Sequence, residues 1–364
     1  MNIDLTGARP SHRYKNLRWA YLVLAIIEVM VIEVPGARDY AQAPYAGYEL
    51  SAESANDFNS DFLVPRIIGQ VKPGSPAERV GLHTGDRVLA VEGIPFEEQK
   101  RIIELGRPKI GERRSIVVER GGEQLPFRIT YEKNPKGYNF KYSAFAIIAF
   151  AFLTTGMVCF WFYPSSTSSL LFWLGFTGAF VFMHKPYLGS FPARSAFAML
   201  RWFITSLWLA ILFNFLLAFP KPKQILMTRP WLARFAIYTP CLLLFLVISY
   251  YTALPTGLVG RGELVIDIAF FFIGAYLVLG VAAFTHTYLT LLKNERTREM
   301  KIMAIGTAIG ILPIALSIIT VIAAPRIELP GRDYYILTLV LIPLSFGFSV
   351  WGRERKKKGK PAIT

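Results

Sequence analysis

The sequence predicts an α-helical membrane protein with about eight spans, arranged as one plus seven, and an α+β domain between the first two. Of its 364 residues, 53% are hydrophobic and only 18% are charged. A soluble protein has about 45–50% apolar and about 25% charged residues. The apolar residues are concentrated in runs of about 20, the length that crosses about 30 Å of hydrocarbon. The chain is therefore predicted to cross a membrane several times.

Eight apolar runs are the candidate spans. The first follows several basic residues and is long for the core of a signal peptide, so we interpret it as a retained anchor, with a cleaved signal peptide as the alternative. The other seven form one block after a polar segment. The predicted spans are 17–34, 143–163, 168–187, 197–219, 231–253, 264–292, 301–323 and 333–351.

The basic residues predict an orientation. The formal net charge of +15 comes from Lys and Arg at the ends of apolar runs, a pattern typical of topology signals and anionic-lipid contacts rather than of nucleic-acid binding. If the basic segment 353–360 is cytoplasmic, eight spans place 1–16, 220–234 and 293–301 on the same side. We therefore expect a multi-pass protein of the inner (plasma) membrane with both termini in the cytoplasm.

The folded domain predicted outside the cytoplasm alternates short strands with turns, and it is one of six parts of the predicted organisation. Ser75 and Pro76 are typical of a helix start, and Gly121-Gly122 is typical of a hairpin turn. The parts are a cytoplasmic N-terminus (1–16), an anchor helix (17–34), a linker (35–58), the folded domain (59–133), a seven-helix membrane domain (143–351) and a basic cytoplasmic tail (352–364).

The stretch "GSPAERVGLHTGDRVLAVEGIPF" (74–96) resembles a bacterial PDZ domain. The resemblance implies that an extended peptide or protein segment binds beside an edge strand and opposite a helix. Asp61 and Pro65 disfavour capture of a free carboxylate, so an internal segment is the alternative ligand. The groove residues implied by the resemblance are Leu63, Val64, Arg66, Ile68, Gln99, Ile102, Ile103 and Gly106.

The membrane block also resembles the membrane part of PDZ-bearing bacterial sensor histidine kinases. The segments that carry this resemblance are "NFLLAFPKPKQIL" (214–226), "REMKIMAIGTAIGILPIALSII" (298–319) and "LVLIPLSFGFSV" (339–350). It implies an external signal that is passed to a cytoplasmic output. Only a short basic tail follows the last span, so kinase activity is not expected, and whether the chain is part of a longer receptor stays open.

The sequence shows no recognised catalytic motif. Its four histidines lack the i, i+4 spacing of a metalloprotease, and we find neither a phosphate-binding loop nor a paired catalytic Cys and His. We therefore expect no enzymatic activity, no catalytic residues, no metal and no cofactor.

Polar residues within the spans are candidates for function, because their burial in hydrocarbon is costly. Glu28 is expected to pair within the bundle or to face a partner, and Asp267 to lie near the interface. Asn214 and His286 are expected to bond across helices. A Gly-xxx-Gly pattern at 306–310 allows close helix packing, either within the bundle or in a homodimer.

The function expected from these observations is membrane signalling or recruitment. The external PDZ-like domain would bind a peptide or protein segment, and the helices would relay or anchor this event to a cytoplasmic signalling partner at the basic loops, which also contact anionic lipids. The alternative is a small-molecule or lipid transporter with an accessory PDZ domain. A cavity joining Asp267, Asn214 and His286 would favour the transporter.

Overall fold

Long helices form most of the chain, and one small α+β domain separates the first helix from the rest. The computed structural model describes residues 12–51, 67–135, 140–184, 186–253, 262–290, 298–323 and 332–358.

The first apolar run forms a continuous helical rod in three parts, which we call the anchor rod. These are α1 (His12–Glu28), a π-helical turn (Val29–Glu33) and α2 (Val34–Ala41). The rod continues past the predicted end of the anchor at residue 34. The predicted linker at 35–58 is therefore wrong at its start, because its described residues form α2 and two strands of the α+β domain.

The membrane block consists of long helices joined by short connections. Their bounds are α5 (Phe140–Phe162), α6 (Ser166–Phe182), α7 (Phe191–Ala218), the short α8 (Gln224–Thr228), α9 (Pro230–Ala253), α10 (Gly262–Thr290), α11 (Arg298–Ala323), a 3-10 helix (Arg332–Val340) and α12 (Leu341–Lys358).

Six helical segments in the described part of the chain are long and apolar enough to cross a membrane. They are Asn16–Asp39, Ser143–Phe162, Pro192–Ala218, Pro230–Tyr250, Phe271–Thr290 and Tyr334–Lys356. Helix α6 is apolar but shorter, with 17 residues, and it ends five residues before the predicted limit at 187. The protein is thus a multi-pass membrane protein, whereas the count of eight spans and the orientation of the termini stay predictions.

Glycines bring pairs of membrane helices into close contact. A Cβ on Gly156 would lie 2.7 Å from the Leu171 carbonyl oxygen, so α5 and α6 pack backbone to backbone. Gly306 packs against Ser345 of α12, and a Cβ on Gly310 would lie 3.1 Å from the Thr338 carbonyl oxygen. The Gly-xxx-Gly pattern therefore faces this chain's own helices, as expected when small residues let helices approach.

The α+β domain is built on a six-stranded sheet. Strands β2 (Tyr48–Ser51), β3 (Ile67–Val71), β4 (Arg87–Val91), β6 (Arg113–Arg120) and β7 (Glu123–Thr130) are adjacent in that order, and β5 (Ile94–Pro95) pairs with β4. Strands β1 (Pro44–Tyr45) and β8 (Glu132–Lys133) form a separate pair.

Two short helices complete the domain. Helix α3 (Pro76–Arg79) begins at Ser75, whose hydroxyl accepts a hydrogen bond from the Glu78 amide at 3.2 Å, as predicted. Helix α4 (Gln99–Glu104) follows β5. The predicted hairpin is also confirmed, because Gly121 and Gly122 connect β6 to β7 with φ of 61° and 87°.

A buried ion pair fixes the turn before β4 to the hairpin. Asp86 is 1% exposed, and Arg120 donates to its two carboxylate oxygens at 2.6 and 2.7 Å and to the Gly81 carbonyl at 2.7 Å. The His83 amide donates to Asp86 at 2.8 Å. Burial alone would raise the pKa of Asp86, but the hydrogen bonds from Arg120 and His83 outweigh it and hold the pKa below its usual value.

Candidate functional site

Strand β2 lies at one edge of the sheet. It pairs antiparallel with β3 through Tyr48 opposite Val71 and Leu50 opposite Ile68, and no described strand pairs with its other side. An edge strand offers backbone N–H and C=O groups to a further strand. The Gly47 carbonyl accepts from the Lys72 amide at 2.8 Å. Because successive backbone groups alternate in direction along a strand, those of Tyr48 face the open edge.

A tight turn precedes this edge strand. Gly47 has a φ of 82°, and a Cβ at this position would overlap the Ser75 side chain. Only glycine fits both the backbone conformation and the space. The Ala46 carbonyl accepts from the Ala77 amide at 2.9 Å. The turn is therefore fixed against the start of helix α3, which sets the position where β2 begins.

Tyr48, the first residue of β2, is held on the domain core through its contact with Tyr131, and both side chains are half-buried. The Tyr48 phenol is hydrogen-bonded to that of Tyr131, and burial raises the pKa of Tyr48 well above its usual value. Burial also raises the pKa of Tyr131. Both phenols therefore stay neutral at physiological pH and hold the edge strand on the domain core.

Helix α4 is the helix that the PDZ resemblance places opposite a bound peptide. Ile102 packs on the core of the domain, whereas Ile103 is half-buried. Gly106 ends the helix with a φ of 74°, and its carbonyl accepts from Arg114 at 3.0 Å. The side chain of Gln99 lies outside the described residues.

The structure corrects the predicted groove strand. Ile68 is fully buried in β3, its amide donates to the Asp86 carbonyl at 2.8 Å, and its carbonyl accepts from the Gly85 amide at 2.7 Å. Its backbone is therefore unavailable to a peptide, and the edge belongs to β2. The other three residues predicted there lie outside the described residues: Leu63, Val64 and Arg66. The missed signal is the alternation of Tyr48 and Leu50 directly after Gly47.

The end of α4 meets the membrane block at Tyr187, in the connection between α6 and α7. The Arg107 guanidinium lies 5.5 Å from the centre of the Tyr187 ring. The Tyr187 amide donates to the Asp39 carboxylate of α2 at 2.7 Å. We call Asp39, Arg107 and Tyr187 the Tyr187 junction, since they join the anchor rod, the PDZ-like domain and the membrane helices.

The predicted intramembrane polar residues do not converge. The Asn214 amide donates to the Tyr238 hydroxyl at 2.9 Å, and His286 lies 2.6 Å from Lys223. Asp267 is 19 residues from His286 on α10, which corresponds to about 28 Å, and its side chain lies outside the described residues. Glu28 is 2% exposed, and neither carboxylate oxygen has a hydrogen-bond partner among the described residues.

Comparison with known families identifies the small domain. Residues 67–120 match the family described as PDZ domain. The protein is therefore a multi-pass membrane protein that contains a PDZ domain.

Particular relatives match a short part of the chain. RseP of Escherichia coli, the regulator of sigma-E protease, is 30% identical over 69 residues, or 19% of this chain and 15% of that protein. HhoA of Synechocystis, named as a serine protease, is 33% identical over 70 residues, or 16% of this chain and 18% of that protein. A protein of Neisseria meningitidis, named as a zinc metalloprotease, is 36% identical over 62 residues, or 17% of this chain and 14% of that protein.

The chain thus spans less than a fifth of the length of these relatives. Among solved structures, a variant of the HtrA-type protease AlgW with a decapeptide is 21% identical and covers 32% of this chain and 35% of its own, with a TM-score of 0.20.

These comparisons correct two expectations. The prediction that the chain is not an enzyme is wrong, because the three curated relatives are named as proteases. The resemblance to a sensor-kinase membrane module finds no support in them, whereas the PDZ domain does. Within the part of the chain that the structure describes, no three His, Cys, Asp or Glu residues are grouped so that they could hold a metal ion.

Proposed function

We propose that the PDZ domain binds an extended protein segment outside the cytoplasm by strand addition to β2. The observation that carries this proposal is the open edge of β2, which the turn at Gly47 fixes at one end. Backbone hydrogen bonds to Tyr48 would supply affinity, and side chains such as Ile103 would supply selectivity. The site residues proposed are Tyr48, Leu50, Ile102, Ile103 and Gly106.

We further propose that this recognition serves proteolysis at the inner membrane. The support is that the curated relatives sharing the domain are named as proteases. The segment bound at β2 would belong to a protein selected for cleavage. The geometry supports the recognition step most directly, since an open strand edge can pair with an extended peptide.

Signalling from the groove to the helices is the second part of the proposal. The Tyr187 junction supports it. Arg107, just after helix α4, contacts Tyr187 in the α6–α7 connection, and the Tyr187 amide donates to Asp39 of the anchor rod. A ligand that shifts α4 would change these contacts. The basic tail 352–364 and the basic loops would then meet a cytoplasmic partner and anionic lipids.

The transporter alternative has no comparable support. Asp267 and His286 lie near opposite ends of α10, so they cannot line one compact site.

Peptide binding to the whole chain in lipid nanodiscs tests the proposal. Peptides selected from a random display library would be titrated by fluorescence anisotropy, each with a free and an amidated C-terminus. We expect Ile103→Lys to weaken binding at least about tenfold, the loss of one well-packed anchor. The matched control is Ile110→Lys, because Ile110 is 55% exposed and follows α4. Failure to select any peptide, or equal binding by the two variants, would contradict strand addition at this groove.

A further inference from the structure

The π-helical turn in the anchor rod brings two carboxylates to one face of the helix. The Val34 amide donates to the Val29 carbonyl, five residues earlier, which is the π-helical pattern. Residues five apart therefore lie one above the other. Glu28 and Glu33 are five apart and bracket this turn, so their side chains share a face about one turn apart.

These carboxylates have no partner in the described part of the chain. Glu28 is 2% exposed, and both of its oxygens are buried without a hydrogen bond. The Oε1 atom of Glu33 is buried in the same way. Buried carboxylates are normally paired or hydrogen-bonded, because the desolvation of an unpaired charge is costly. The site therefore lacks a hydrogen-bond donor, and a positive one would satisfy it best.

Glu33 lines a cleft of about 590 Å³ between the anchor rod, α5 and α12. This volume is in the usual range for a small-molecule site. The walls are apolar, and Val34, Ile147, Phe150 and Leu344 line them, each more than half exposed. In a membrane-spanning block such an apolar rim faces lipid. The cleft is therefore open to hydrocarbon and has carboxylate chemistry on one wall.

We propose that this cleft binds an amine-bearing amphiphile. Its ammonium group would donate hydrogen bonds to Glu33, next to Glu28 on the same face of the rod, and its hydrocarbon chain would lie along Ile147, Phe150 and Leu344. An inorganic cation would leave the apolar walls unused, and a neutral chain would leave the carboxylates unpaired. The same chemistry is available from the headgroup of an aminophospholipid or from a lipophilic amine dissolved in the bilayer.

Photocrosslinking with the whole chain tests this site. The chain would be placed in phosphatidylcholine nanodiscs, whose quaternary headgroup has no N–H donor. Two probes with the same diazirine-bearing twelve-carbon chain would be compared, one ending in a primary amine and one in an alcohol. Crosslinked residues would be mapped by mass spectrometry. We expect the amine probe to label α5 near Ile147 and Phe150 at concentrations at least about tenfold below those needed by the alcohol.

Variants then assign the headgroup contact. Glu33→Gln is expected to lower the affinity for the amine probe at least about tenfold and to leave the affinity for the alcohol probe unchanged. Glu123→Gln, at the exposed start of β7, is the matched control. Should Glu33→Gln fail to fold, the comparison of the amine and alcohol probes on the natural chain still tests whether the cleft prefers an ammonium group. Equal labelling by amine and alcohol, or labelling that is insensitive to Glu33→Gln, would overturn the proposal.

Two further arms distinguish the source of the amine. Discs that contain phosphatidylethanolamine would compete with the amine probe if an aminophospholipid is the occupant. If the amine probe labels the chain equally well in those discs, but free dodecylamine reduces the labelling, the occupant is a lipophilic amine rather than an aminophospholipid. Each of these results supports the ammonium site, whereas labelling that neither amine displaces would overturn it.

Discussion

The PDZ domain and the anchor rod each bury a carboxylate, but they treat it in opposite ways. Asp86 in the PDZ domain accepts hydrogen bonds from Arg120 and from the His83 amide. Glu28 in the anchor rod is as deeply buried and has no hydrogen bond among the described residues. A satisfied buried carboxylate holds a fold together. The unsatisfied Glu28 instead lies next to Glu33, which lines the cleft proposed to bind an ammonium group.

Replacing each carboxylate by its amide should separate these roles most strongly. Asp86→Asn removes the charge opposite Arg120, and we expect a loss of about 2–4 kcal/mol in the free energy of unfolding of the PDZ domain. Glu28→Gln removes no hydrogen bond of the described structure, so the stability of the whole chain should be unchanged or increased. Thermal unfolding of the chain in nanodiscs, with hydrogen exchange to resolve the PDZ strands, measures both. Equal destabilisation by the two variants would contradict the comparison.

Acid should affect the PDZ domain through the same residue. The pKa of Asp86 is lower in the folded domain than its unfolded value of about 3.9. The stabilisation is therefore fully present above about pH 4–5 and is lost as the pH falls through the lower folded pKa. Hydrogen exchange of β4 and β6 between pH 7 and pH 3 should show this loss. Asp86→Asn should flatten the dependence of exchange on pH in this range. If the dependence is unaltered in this variant, Asp86 is not the residue responsible.

The turn before the edge strand offers a local test. Gly47→Ala should destabilise the turn by about 1–3 kcal/mol through its positive φ, with an added clash against Ser75, and should weaken peptide binding. Gly93→Ala is the control, since Gly93 also has a positive φ of 74° but has open space at its Cβ position. If both variants bind peptide equally well, the turn at Gly47 does not set the position of β2 for peptide binding.

The Tyr187 junction should give the smallest effect. A cation–π contact of this kind is worth about 0.5–1 kcal/mol, so Tyr187→Ala should change peptide affinity by no more than about fivefold. If the junction couples the groove to the helices, peptide binding should alter hydrogen exchange at the start of α7 in the natural chain and not in Tyr187→Ala. The same response in both would remove the junction from the proposed relay.

Local signals in the sequence predicted much of the PDZ domain. Ser75 caps a helix and Gly121-Gly122 turn a hairpin because these residues act on their own neighbours. The edge strand was missed for the opposite reason. Tyr48 and Leu50 pair with β3 residues about twenty positions later, and only this distant pairing distinguishes a short strand from a linker.

The anchor rod shows a similar limit. Its apolar length and its buried Glu28 were evident from the sequence, but the π-helical turn was not. The residues Val29–Glu33 carry no distinctive signal, and the turn is a matter of backbone hydrogen bonds. As a result, the alignment of Glu28 with Glu33 and the adjoining cleft emerged only from the structure.

Hydrogen exchange of the whole chain with and without a selected peptide tests the central claim most directly. Strand addition at β2 predicts that the peptide slows exchange in 44–51, above all at the Tyr48 amide, with little change in β3, whose backbone is already paired. A bound peptide that leaves 44–51 unprotected, or that protects only the far edge at β7, would contradict it.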